Sequence, residues 1–147
     1  MTSARPAEVR FYFDADLLGL AKLVCQVRPD CTYPGDPGGC VQRRERPPCP
    51  VGSPATKDPE WIRLVASRGW LIITRDHRIQ DRRAEIGAVR DSGAKMVNLG
   101  SADAGTTWRQ MEVLMTRWRE IDALPEQPGP FIYVASRTGA FQRISLS

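Results

Sequence analysis

The chain has a single histidine, no cysteine beyond position 49, and no apolar run near the ~20 residues that a membrane-spanning helix needs. The lone His77 has no cysteine or serine partner motif, which argues against triad hydrolysis. A phosphate-binding Walker loop, a dinucleotide fingerprint and internal repeats are also missing. The stretch from Met1 to Pro6 is polar and does not read as a secretory signal, so a cytoplasmic protein is expected, without membrane association and without structural disulfides as the default. Four cysteines stand at positions 25, 31, 40 and 49, and their spacing lacks the paired knuckles of zinc sites. Cys25 falls on an apolar helix face and reads as a small core residue. Cys31, Cys40 and Cys49 lie in or beside a Pro/Gly-rich loop, where a metal or redox role is the minor alternative.

What remains is an ordinary globular composition. At 147 residues, 41% of them hydrophobic, the chain suits one domain spanning 1–147, able to bury about two-thirds of its unfolded surface. Twenty-one basic and 17 acidic residues leave a net charge of +4 and a pI near 9.1. That balance tolerates a nucleic-acid partner without requiring one. Arg43, Arg44 and Arg46 form one basic cluster; Arg75, Arg78, Arg82 and Arg83 form another. Each suits either solvated surface or a phosphate-binding rim.

The apolar segment Trp70-Leu71-Ile72-Ile73 follows the helix-stopping Gly69 and turns polar at Thr74, the pattern of a strand buried on both faces. Residues 9–13 predict an earlier strand that hands over, through Asp14-Ala15-Asp16, to a helix carrying Leu17, Leu20, Ala21 and Val24. Cys31-Thr32-Tyr33 suits a short strand. From Pro34 to Pro54, and on to residue 56, dense Gly and Pro predict an irregular insertion, with Arg43 to Arg46 as a mobile basic flap. Asp58-Pro59-Glu60 is a helix start, with Asp58 as N-cap and Trp61, Ile62, Leu64 and Val65 facing inward. Further on, the pattern gives a helix over about 79–91 and a strand at Lys95–Leu99. A capping box at Thr107-Trp108-Arg109-Gln110 would open one long helix with a core stripe of Trp108, Met111, Met115, Trp118 and Ile121. Phe131–Val134 and Phe141–Ser145 predict a terminal hairpin about Thr138-Gly139. The sum is an α/β domain with a mainly parallel sheet and a C-terminal β extension.

Asp14 and Asp76 each end a predicted strand, and Asp58 starts a helix beside the second. In open α/β sheets the ligand crevice lies beyond the carboxyl ends of the strands. If the two strands are neighbours, the three carboxylates face one crevice, and such crowding of anions needs a cation to offset it. Oxygen-only ligands favour magnesium or manganese over zinc. Such a metal activates water and stabilises charge developing on a phosphodiester, with Arg75, Arg78, Arg82 and Arg83 holding the polyanion. The plain alternative is that each acid caps its own element and they never meet.

Phe13-Asp14-Ala15-Asp16-Leu17, Asp58-Pro59-Glu60-Trp61-Ile62 and Ile73-Thr74-Arg75-Asp76, in this order, resemble a PIN-like domain, more narrowly the VapC-type toxin ribonucleases of bacterial toxin–antitoxin modules. Gly129-Pro130-Phe131-Ile132-Tyr133 is similar to one PIN-like branch. The resemblance implies a three-layer α/β/α fold and a Mg2+-dependent (or Mn2+-dependent) endoribonuclease, held inactive by a cognate antitoxin and often paired as a homodimer. It carries over Asp14, Asp58 and Asp76 as the catalytic, metal-binding acids, with Asp16 a further metal-binding addition. This chain departs from the pattern at Arg78, where many PIN-like domains place another acid; Asp36, Asp81 and Glu85 are the candidate substitutes. Two other readings stand beside this one: a PIN-like scaffold that binds RNA or protein without cutting, and a phospho-acceptor receiver domain using Thr74 and Lys95. The order of Thr74 and Asp76 on one strand argues against the receiver.

Overall fold

The computed structural model describes residues 4–56, 58–75, 83–100 and 104–146, with the backbone alone at 58 and 83–85. The elements run β1 (Arg5–Pro6), β2 (Phe11–Phe13), a 3-10 turn (Ala15–Leu17), α1 (Leu18–Val27), β3 (Cys31–Thr32), β4 (Gly39–Val41), β5 (Arg44–Arg46) and α2 (Asp58–Ser67). They continue with β6 (Leu71–Thr74), α3 (Arg83–Ser92), β7 (Lys95–Leu99), α4 (Thr107–Thr116), α5 (Trp118–Ala123), β8 (Phe131–Ala135) and β9 (Gln142–Arg143).

Six strands form the central sheet in the order β3-β2-β6-β7-β8-β9, parallel throughout except for the last pair. Strand side chains alternate between the faces, and here both faces are apolar. Phe11, Phe13, Leu71, Ile73, Val97, Leu99 and Phe131 pack with α1, α4 and α5. Tyr12, Ile72, Met96 and Ile132 pack with α2 and α3. The result is a three-layer α/β/α architecture with a mainly parallel sheet and a C-terminal β extension, as the sequence predicts. No helix among the described residues is long and apolar enough to cross a membrane.

Several expectations are corrected. The stretch 34–56 is not irregular throughout: β4 and β5 form an antiparallel hairpin, and β1 adds to β5 in a second, three-stranded sheet. The hairpin turn is Gln42-Arg43, both with positive φ (52° and 61°), the geometry of a two-residue primed turn made without the usual Asn or Gly. Arg46 is no part of a mobile flap. Its Nε and Nη2 donate to the two oxygens of Asp36 at 2.6 and 3.0 Å, and both side chains are buried.

The cap lies one residue before the predicted capping box, which puts Arg109 and not Gln110 at the third helical position. Thr106 is the N-cap, its hydroxyl accepting from the Arg109 N–H at 3.2 Å, while the Gln110 amide donates to Ala104 O. The single long helix is two helices, broken at Arg117 (φ −103°, ψ 11°), whose guanidinium donates to Ser136 O at 2.7 Å and to Gly139 O. Of the predicted stripe, Ile121 is buried and Met111 and Trp118 pack against the core, together with Gln110, Val113 and Leu114, while Trp108 and Met115 stand in solvent.

Candidate functional site

The first acid is placed by the end of β2. Phe11 and Phe13 bury one face of the strand and Tyr12 the other, so the chain leaves the sheet at Asp14 without freedom to slip. The Asp14 backbone N–H donates to Ile73 O at 2.9 Å, continuing the parallel ladder from β2 to β6. Its Oδ1 accepts from the Ala15 N–H at 2.6 Å, capping the 3-10 turn, and its Oδ2 accepts from the Thr74 hydroxyl at 3.0 Å. Asp14 therefore does cap its element, and it also reaches the neighbouring strand. Asp16 is exposed on the same turn.

Strands β2 and β6 are neighbours, which is the condition on which the acidic cluster depends. Thr74, fully buried, is the last residue of β6. Arg75 follows, and its Nη1 donates to Ala104 O at 2.6 Å, tying the end of β6 to the segment before α4. Asp76, Arg78, Asp81 and Arg82 lie outside the described residues, as do the side chains of Asp58, Arg83 and Glu85. No group of three or more His, Cys, Asp or Glu side chains able to hold a metal occurs among the described residues.

The backbone places Asp58. Helix α2 opens at this residue and turns back at Gly69, whose positive φ of 73° permits the reversal into β6. Ten helical residues rise about 15 Å, comparable to the length of β6, to which the chain returns after Gly69. Trp61, one turn along, stacks on Tyr12 of β2 with ring centroids 5.3 Å apart. That stacking sets the early turns of α2 against the strand that leads into Asp14.

Asp36 is committed elsewhere. Besides Arg46 it accepts from the Thr32 hydroxyl at 2.8 Å and from the Gly38 N–H at 2.9 Å, and it is buried under the hairpin. It is corrected from candidate fourth acid to structural anchor. The receiver reading also loses its lysine: Lys95 begins β7, at the opposite edge from Asp14, and its ammonium donates to Pro125 O. The four cysteines form no disulfide. Burial pushes the Cys25 thiol up to about 12 and raises those of Cys31 and Cys49, which keeps them protonated and unreactive. Sequence reasoning missed the Thr74 contact with Asp14. The only signal was a hydroxyl at the point where the apolar strand stops.

A family model described as PIN-like domain matches residues 41–101, a stretch that includes Asp58 and Asp76 and leaves Asp14 outside. The α/β/α architecture is consistent with that fold. No curated protein and no solved structure matches the chain.

Proposed function

We propose that the chain is a PIN-like, metal-dependent endoribonuclease of the cytoplasm, the toxin component of a toxin–antitoxin pair. The observation that carries this reading is the Asp14 carboxylate at the carboxyl edge, hydrogen-bonded to Thr74 of the adjacent parallel strand, with Asp76 two residues further along the chain. The match of 41–101 to a PIN-like domain supports it from the side of β6 and α2.

Asp14, Asp58 and Asp76 would hold Mg2+ or Mn2+, with Asp16 as a further ligand. An oxygen-only donor set of carboxylates fits a hard cation. When bound, the cation supplies a Lewis acid for the phosphodiester and lowers the pKa of a water. Thr74 holds the Asp14 carboxylate in one orientation. Arg75, Arg78, Arg82 and Arg83 would bind the phosphate backbone of the RNA. A cognate antitoxin and a homodimer belong to the same proposal. An apolar groove of about 240 Å3 between α1 and the α4–α5 pair, with Leu23, Val27 and Met115 exposed, supports a protein-binding surface.

The second reading is a PIN-like scaffold that binds without cutting. It is favoured by Arg78 at the position of a further acid and by the engagement of Asp36 with Arg46. Cleavage of a mixed RNA pool with Mg2+ separates the two. Wild type is expected to cut, and EDTA, Asp14→Asn or Asp76→Asn to abolish cutting while RNA binding persists. A folded, metal-supplied wild type that leaves every RNA intact would hand the case to the scaffold.

A further inference from the structure

The carboxyl edge of the sheet carries a second cluster that the proposed chemistry leaves unused. Trp108, in the first turn of α4, is 80% exposed, more than Leu23, Val27 or Met115. An indole is among the largest apolar side chains, and leaving it in water forgoes the stabilisation its burial would give. It lines a polar groove of about 380 Å3 together with Arg109, Glu112 and Arg137. The Arg137 Nε lies 3.6 Å from Glu112 Oε1, with both side chains about half exposed. Arg109 is exposed beside Trp108.

The fold brings this groove to the acidic edge. Helix α4 begins beyond the carboxyl end of β7, and Arg137 stands two residues beyond the end of β8. Ala104, which accepts from Arg75, also accepts from Gln110 of the same first turns of α4. Thr107 packs so closely on the start of α1 that a Cβ at Gly19 would sit 2.9 Å from its hydroxyl oxygen. Gly19 is five residues beyond Asp14.

An exposed indole that shares a groove with two guanidiniums, one of them paired loosely with Glu112 at the surface, suits an unpaired nucleotide. Every base has a π-face to stack on the ring, and each guanidinium can hold a phosphate. Paired bases in a duplex are stacked on one another and offer no such face. A polar, open groove is poorly matched to an apolar peptide.

We propose that Trp108, Arg109 and Arg137 form a subsite for one unpaired nucleotide of a single-stranded RNA, the base stacked on Trp108 and the phosphate held by the arginines. The subsite rests on the ribonuclease reading only for where the strand leads next, toward Asp14. It makes single-stranded RNA the substrate class and gives the strand an anchor separate from the metal-binding acids.

The test is fluorescence anisotropy of a short, labelled, mixed-sequence single-stranded RNA with full-length protein in EDTA, where cleavage is off. Trp108→Ala is expected to weaken binding roughly five- to a hundredfold, the range for loss of one stacked base, and Trp108→Phe to retain most of it. Arg109→Ala and Arg137→Ala weaken it as well. A duplex of the same sequence binds more weakly and is indifferent to Trp108→Ala. Because Trp108 is exposed, unchanged thermal melting of Trp108→Ala excludes misfolding as the cause. Equal affinity of wild type and Trp108→Ala overturns the subsite. If wild type cleaves with Mg2+ but Trp108→Ala binds and cleaves equally well, the subsite falls and the ribonuclease stands. If nothing is cleaved but binding depends on Trp108, the ribonuclease falls and the subsite stands.

Discussion

Asp14 has two duties in one side chain, capping the turn Ala15–Leu17 through Oδ1 and accepting the Thr74 hydroxyl through Oδ2. In the metal-binding role proposed for Asp14, a carboxylate held from behind in this way depends on its supporting hydrogen bond for orientation, and loss of such a bond typically lowers metal affinity or activity 10- to 100-fold. Thr74→Val keeps the shape of this buried side chain and removes its hydroxyl, and with it the bond to Asp14. The expected result is a rise of about tenfold in the Mg2+ concentration giving half-maximal cleavage, with a stability loss of only about 1 kcal/mol, and near-normal behaviour in Thr74→Ser. A Mg2+ titration of cleavage beside a urea melt measures both, and an unchanged Mg2+ requirement in Thr74→Val would remove the positioning role. Asp14 was legible in the sequence because an acid directly after Phe-Tyr-Phe can only stand at a strand end. Trp108 was not. Of the predicted stripe Trp108, Met111, Met115, Trp118 and Ile121, the residues Met111, Trp118 and Ile121 pack on the core, while Trp108 and Met115 do not, because the helix breaks at Arg117 and a period run straight through that break misplaces both ends of α4.

At the scale of elements, the parallel strands and the helices between them were legible because long apolar runs leave only one way to hide both faces of a sheet. The hairpin β4–β5 was not, since its strands are exposed and its turn lacks Asn-Gly. What holds it is a tertiary contact between residues ten apart, the buried Asp36–Arg46 pair, and no local pattern announces that. Gly38 is required beside it: φ is +86°, and a Cβ would collide with Arg46 O. Removing one partner of a buried ion pair strands the other charge, which costs about 3–5 kcal/mol. Asp36→Ala should therefore lower the unfolding free energy measured in urea by an amount in that range, with the midpoint falling in proportion. The double change Asp36→Leu with Arg46→Met should recover much of the loss, because Arg46 Nη1 has no hydrogen-bond partner among the described residues and the native pair is imperfectly satisfied. A single variant within 1 kcal/mol of wild type, on the scale set by a lone buried charge, would mean that the hairpin does not depend on the pair.

Across the whole molecule, a net charge of +4 overstates how evenly the surface attracts a polyanion. Arg10 is engaged by Asp122 at 2.8 Å, Arg28 by Asp30 at 2.8 Å, Arg46 by Asp36, and Arg117 by backbone carbonyls and Glu120. These guanidiniums hold the fold together and are poorly placed to release counterions from RNA. Arg109 is exposed at the carboxyl edge, where the strand is proposed to lie. Each phosphate contact with a single strand contributes about −0.7 to the slope of log affinity against log salt. Arg137 is already paired with Glu112 across the groove, so Arg109 is the contact expected to dominate there, and Arg109→Ala is expected to reduce the slope by about 0.7. Arg28→Ala, although it removes the same formal charge, should leave the slope where it was. The comparison separates a local phosphate contact from diffuse attraction: if Arg28→Ala and Arg109→Ala flatten the salt dependence equally, RNA is held by the overall charge of the protein and the groove has no privileged part in it.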